Sequence, residues 1–389
     1  MADKVFKEIL HNLPKHKAAL EQVRDVFLAN LVMIGEIPAP TFAEEARARF
    51  MAKRLSDFGL SDTSNDEKWN AAGILHGKRG ERNILLVAHL DTVFPKEVDH
   101  TVTVEPDRFC APGIADNALG AATLISLPQI LNTLDINLDS NLIILGSSRG
   151  IGPGDLEGMR FFMRNKSQPI HAGICIEGVP LGRLNITSLG MLQCEVACNL
   201  PDKYDWTQFG ASGAIEILNS VVNKILTLPL PQKPRTNIVM ERMDVGRAFH
   251  RVATRGVLQF EVRSESLKMT RDLEEEIEHI VAEERYKTRA DLSFEVIARR
   301  NPGGISFKHP LAQRSRQIME ALSIEPRIAP STSELSGFID AGVPAVTLGI
   351  SKGIHLREND EAIYLEPIFT GVAQLIGVLQ AIDGGCCDE

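Results

Sequence analysis

Four short stretches of the chain place metal-binding or proton-moving side chains at the ends of apolar runs. His89-Leu90-Asp91 closes the run ILLVA. Residues two apart on an extended strand point to the same side, so the imidazole and the carboxylate face one crevice. One of them can ligate a metal while the other supports it from behind; the pair also reads as a strand-end histidine capped by a neighbouring acid. Asp116 sits in APGIADNALG, a Pro/Gly turn just ahead of a helical segment. A carboxylate there caps a helix N-terminus, and its other oxygen can still bind a metal. Glu177 ends the buried-looking run ICIEG, where a carboxylate is costly unless paired or metal-bound. His355 follows the apolar run PAVTLGI in SKGIHLRENDEAI. Two histidines, an aspartate and a glutamate form an all nitrogen and oxygen donor mix that zinc accepts.

These residues need a scaffold that brings strand ends to one rim. NILLVAHL, NLIILGSS, AGICIEG and PAVTLGI are short, continuous and apolar. Such runs fit strands buried on both faces of a parallel sheet. ALGAATLISLPQILNTL, LAQRSRQIMEAL and EPIFTGVAQLIGVLQAI carry helical spacing between or after them, the alternation of an α/β fold with crossover helices. The first segment, to about residue 58, reads as helical, broken by Pro38 and Pro40. Between about residues 185 and 302 the pattern changes to strand, helix, two strands, helix, strand, the ferredoxin-like βαββαβ order. The expected organisation is therefore a discontinuous α/β domain, 1–184 with 303–389, interrupted by a small α+β domain at 185–302. The cleft between two such domains is a natural ligand site.

Composition narrows the partners. The chain has 389 residues, with 51 Asp and Glu against 42 Lys and Arg and a net charge of −9. That balance repels phosphate backbones, and 5% aromatic residues provide no base-stacking platform; no nucleic-acid partner is expected. No stretch approaches the roughly 18 consecutive apolar residues of a membrane span, and the N-terminal residues lack a signal-peptide core, so a soluble, cytoplasmic protein is expected. Of six cysteines, Cys175 reads as a core residue, Cys194 and Cys198 lack partner histidines for a metal site, and Cys386-Cys387 read as a frayed polar tail.

The ordered set AHLDTV, APGIADNALGAA, CIEG and GIHLRENDEAI, with the βαββαβ insert, resembles the zinc peptidase and amidohydrolase family of aminoacylases, carboxypeptidase G and succinyl-diaminopimelate desuccinylase. The resemblance covers nearly the whole chain. It implies a phosphorylase/hydrolase-like α/β sandwich with a mostly parallel sheet and an inserted lid and dimerisation domain. It implies that His89 and Glu177 ligate one zinc, that Asp116 bridges two, that His355 ligates the second and that Asp91 orients His89. A metal-activated water would attack an amide of a small peptide or N-acyl amino acid.

The sequence departs from that pattern at two places. The family carries two adjacent glutamates at the end of the strand between Asp116 and Glu177, one the general base and one a ligand of the second metal. Here the strand LIILG continues as Ser147-Ser148-Arg149-Gly150, which puts Arg149 at the base position and Gly150 at the ligand position. Arginine cannot accept a proton, and glycine has no side-chain ligand. Arg149 is expected to take the place of the second metal beside Asp116, or to clamp a substrate carboxylate. Asp155 and Glu157, just beyond, are the nearby acids, and Asp155 reads as a helix cap. The family's lid histidine is also missing; Lys203, Tyr204 and Asp205 stand about where it belongs. His250 stands where a lid asparagine is common, and Arg263 matches the family's strand-end arginine; both are candidate substrate-binding residues. The expectation is a homodimeric relative of the family, holding one zinc rather than two, with hydrolysis weak, altered or lost. The alternative is a non-catalytic relative that binds a ligand or a partner.

Overall fold

The computed structural model describes residues 2–201, 213–249 and 251–389. The chain divides into two compact units, Met1–Ser188 with Gly304–Glu389, and Leu189–Gly303.

The first unit is built on an eight-stranded, mainly parallel sheet. Its strands run in the order Ser61–Asn65, Ala71–Leu75, Asn141–Ser147, Asn83–His89, Ala172–Glu177, Ala345–Gly349, Arg183–Asn185, Arg327–Ile328. The four central strands, Asn141–Ser147 through Ala345–Gly349, are mutually parallel, and antiparallel strands flank them. Every residue of Asn83–His89 and Ala172–Glu177 is buried, which explains why these segments read as continuous apolar runs rather than alternating ones. Alternation is present all the same, but between two cores. Ile84, Leu86 and Ala88 pack with the helices Leu119–Thr133 and Glu366–Asp383 on one face. Leu85 and Val87 pack with Met159 and Phe338 on the other, as the two-residue period of a strand requires. The helix Leu119–Thr133 is almost wholly buried, so its apolar composition belongs to this core.

The N-terminal segment is helical as its spacing predicts. The helices are Ala2–Ala19, Arg24–Gly35 and Glu45–Asp57, with Pro38 and Pro40 in the break between the last two. The first helix buries Phe6, Ile9 and Leu13, one stripe at helical spacing. The C-terminal expectation fails. Cys386 and Cys387 are 4% and 7% exposed, and the Cys386 thiol donates to the Ala2 carbonyl at 3.4 Å. The tail docks against the first helix, a long-range contact that local polarity does not reveal.

The second unit is a four-stranded antiparallel sheet in the order Thr236–Val245, Arg255–Ser264, Gly190–Asn199, Asp291–Arg300. The helices Ala214–Leu226 and Leu267–Thr288 pack on it. Leu192, Cys194, Val196 and Cys198 form its inward face at every second position, so the two cysteines are core residues at strand spacing.

Gly173 on a central strand shows how tightly the first unit is filled. A Cβ there would lie 2.2 Å from the Phe338 ring, and Phe338 itself is fully buried. Gly173→Ala should cost about 1–3 kcal/mol by overpacking, read as a lower urea midpoint at unchanged slope; an unaltered midpoint would show that the ring is free to move.

Candidate metal centre

The parallel pairing sets the site. His89 ends its strand opposite Ser147 on one side, and the register Val87 to Cys175 on the other brings His89 level with Glu177 two residues on. Carboxyl ends of parallel strands form the usual ligand rim of an open α/β sheet. The His89 ring nitrogen and one oxygen each from Asp116 and Glu177 lie within 4.8 Å of one another. His89 and Glu177 are buried, and Asp116 is partly so. The His89 Nδ1–H donates to the main-chain carbonyl of Asp91 at 3.0 Å, which turns Nε2 toward Asp116 Oδ1, 3.0 Å away. The proton on Nδ1 is assigned from that carbonyl, and it leaves Nε2 as the ligating atom. Asp91 therefore orients His89 through its carbonyl, while its carboxylate Oδ1 lies 3.5 Å from Nδ1.

Asp116 is held by its backbone. It sits in the turn Ile114–Ala118 with φ −128° and ψ 83°, outside helical space. Glu361, fully buried, accepts the Ala115 and Asp116 amides at 2.7 and 3.0 Å and the Arg357 amide at 2.8 Å. The expected N-cap role of Asp116 is not observed. Asn117 does the local work: its Oδ1 accepts the amides of Gly120 and Gly178, and its Nδ2 donates to the Ile176 carbonyl. Asp116 is thereby left free to face His89.

The segment after Ser147 folds around acids of other elements. The Arg149 amide donates to Glu44 Oε1 at 2.8 Å. The Gly150 and Ile151 amides donate to Asp91 Oδ2 at 2.9 Å each, where Thr41 Oγ1 also donates at 2.8 Å. The Arg149 guanidinium pairs with Glu157 at 2.7 Å and lies over the Phe42 ring, 5.5 Å from its centre. Arg149 is expected beside Asp116, but its guanidinium is engaged with Glu157, and the cationic groups that lower the Asp116 carboxyl are led by His89, with Arg357 and Arg183. Asp155 and Glu157 are engaged as well. Asp155 has a left-handed φ of 48° and pairs with Arg160, while the helix Glu157–Asn165 shows no side-chain cap. Glu157 is shared by Lys68 and Arg149.

His355 is not in the convergent group. Its side chain is 54% exposed, and its Nδ1 pairs with Asp360 at 2.7 Å. In the second unit Arg263 pairs with Glu261, which also accepts from Gln193. His250, Lys203, Tyr204 and Asp205 lie outside the described residues.

Four buried groups escaped the sequence reading: Glu44, Glu334 and Glu361, and the cation Arg47. Arg47 donates to the carbonyls of Ile37 and Leu90, and burial lowers its pKa to about 10, which leaves it charged at neutral pH. Glu334 is 3% exposed and accepts from Ser147 Oγ at 3.2 Å. In sequence it is one more acid in the polar stretch PSTSELSG, with no periodicity to mark it.

Electrostatics favour a cation. Glu44, Asp91, Glu177, Glu334 and Glu361 are all buried, with Arg47 and His89 as the buried basic groups beside them. Burial raises the Glu177 carboxyl above its ordinary range, against the pull of Arg183 and His89. Burial disfavours the His89 imidazolium, but the hydrogen bond with Asp116 and the nearby Asp91 carboxylate overcome this and hold its pKa well above the ordinary value. Asp91 Oδ1 and Glu44 Oε2 are buried with no hydrogen-bond donor. A nitrogen and two carboxylate oxygens aimed at one point, in a surplus of buried negative charge, fit a divalent metal ion.

Residues 70–148 match the model of Peptidase family M28, a segment that contains His89, Asp91 and Asp116. No curated protein matches the chain. Among solved structures, the di-peptidase Dug1p from Saccharomyces cerevisiae superposes with a TM-score of 0.77 at 11% identity, covering 96% of this chain and 99% of that one. The M20 family metallo-carboxypeptidase Sso-CP2 from Sulfolobus solfataricus gives a TM-score of 0.75 at 12% identity over 92% and 99%. A Bacillus subtilis protein described as a dinuclear metal binding peptidase from the M20 family gives 0.64 at 11% over 93% and 98%. The matched segment and the structures carry different family labels, but both labels are of peptidases, and this chain shares the fold of those structures. These findings agree with the zinc peptidase and amidohydrolase family that the motifs resemble.

Burial raises the carboxyl pKa of Glu44, Glu177 and Glu361. A carboxyl with a raised folded-state pKa binds its proton more tightly when folded. Its stabilisation is therefore present below the unfolded value and is lost as pH rises through the folded value. Metal-free protein should lose unfolding free energy as pH rises above about 4.5, the unfolded glutamate range, until the raised values are passed. Added zinc should stabilise more at pH 8 than at pH 6, because the metal replaces protons. Thermal unfolding with and without zinc at both pH values measures this; a zinc shift that shrinks with rising pH would contradict it.

Proposed function

We propose that this protein holds one divalent ion, zinc by its donor set, at His89, Asp116 and Glu177, and is a small-peptide or N-acyl amino acid amidohydrolase of weakened turnover. The observation that carries the reading is the meeting of these three ligands within 4.8 Å, beside a strand end where Arg149 is paired with Glu157 and Gly150 has no side chain to offer. His89, Asp116 and Glu177 would hold the ion, which would supply Lewis-acid activation of an amide carbonyl and of water. The protein's own contributions are distinct. Asp91 holds the His89 ring through its carbonyl, Glu361 holds the Asp116 turn, and Arg183 sits 3.5 Å from Glu177, where it balances that carboxylate.

The weak point is proton transfer. A general base typically contributes about 10²–10⁴-fold in rate, and a guanidinium engaged with Glu157 does not accept a proton. The same pair supports a second reading, a non-catalytic relative that retains the metal centre to bind a small amide or carboxylate ligand.

Elemental analysis of the purified chain is expected to give one zinc per chain, and Asp116→Asn is expected to remove it; two ions per chain would overturn the mononuclear reading. With zinc loaded, dipeptides and N-acyl amino acids should be hydrolysed slowly, in a wild-type-only signal that Asp116→Asn abolishes. Ligand binding with no turnover across such a panel would favour the second reading, and neither binding nor turnover would remove both.

A further inference from the structure

The position that lacks a side chain, Gly150, is not surrounded by empty space. A Cβ built on Gly150 would lie 3.0 Å from Glu334 Oε1, 3.2 Å from Asp91 Oδ1 and 3.6 Å from the His89 Cβ. A carboxylate from a distant part of the chain thus stands at the spot that a side chain at 150 would enter. Glu334 is 3% exposed, and Asp91 Oδ1, facing the same point, is buried without a donor. Glu334 also acts electrostatically on both His89 and Glu177. Its placement is rigid. Ser147 Oγ donates to its Oε1 at 3.2 Å, and the helix that follows, Leu335–Asp340, is clamped by Phe338 against Gly173 and by Gly337 against Met159. A buried carboxylate with one hydroxyl donor is costly unless a cation shares the site.

We propose that Glu334 is a positioning residue of the metal centre: its carboxylate fills the space beside Gly150, next to His89, and adds negative charge to the ligand set. This rests on the metal-centre reading above.

The full-length chain is titrated with zinc against a chromophoric chelator, as wild type and as Glu334→Gln, and the metal-free unfolding midpoint is recorded for both. Glu334→Gln keeps shape and removes charge, so the expected result is about 10–100-fold weaker zinc binding, the usual cost of losing a carboxylate that supports metal ligands, with the metal-free midpoint retained. Glu334→Asp, which keeps the charge, should recover part of the loss. Equal affinity in wild type and Glu334→Gln overturns the proposal, as does a loss that only follows collapse of the fold. Should Glu334→Gln not fold, Gly150→Ala serves as the second variant: its methyl crowds Glu334 Oε1 and should weaken zinc binding, and unchanged affinity overturns the proposal equally. A wild type that binds no zinc overturns the metal-centre reading itself, a result distinct from a wild type and a variant that bind alike.

Discussion

Burial of carboxylate charge at the rim of the parallel sheet is the constraint on which the rest of this site depends. Moving an ionised carboxylate out of water is costly unless donors or a cation meet it, and here Glu44, Asp91, Glu177, Glu334 and Glu361 are all buried. Each solution is visible. Glu361 spends both oxygens on backbone amides around Asp116. Asp91 collects Thr41 and two amides on one oxygen, with the Arg47 charge nearby. Glu177 and Asp116 face His89 and each other. The last group is the one whose acids point at a common centre instead of at amides, and that difference separates ligands from supports.

The same constraint explains how the strand end after Ser147 can do without acidic side chains. Its backbone has become the partner of acids from elsewhere: Arg149 through its amide to Glu44, Gly150 and Ile151 through theirs to Asp91. The Arg149 side chain turns out to Glu157 and Phe42, away from the ligand group. The backbone at 149 and 150 is thus part of a consistent hydrogen-bond network, with Glu334 close beside Gly150.

Much of the architecture was legible from periodicity alone. NILLVAHL and AGICIEG are apolar without alternation because both faces of their strands are covered, and LQCEVAC alternates because the second unit's sheet buries one face. The misreadings share one cause, a local rule overruled by other contacts, near or distant. Asp116 is placed like a helix cap, but Asn117, bonded to the next strand, takes the capping contact. Asp155 is placed like a cap and pairs with Arg160 instead. Cys386 and Cys387 lie in a polar tail and are buried by the first helix of the chain.

What the sequence by itself determined was the α/β class and the placing of His89, Asp116 and Glu177 as candidate ligands, because each follows an apolar strand or a Pro/Gly turn, and those signals are local; it also offered His355, which stands apart. What only the tertiary structure decided was which other charges join them. Glu334 stands 187 residues from Ser147, whose hydroxyl it accepts, and its sequence surroundings are those of an ordinary polar loop. Its meeting with Gly150 follows from strand register and core packing between segments that no short window of sequence contains.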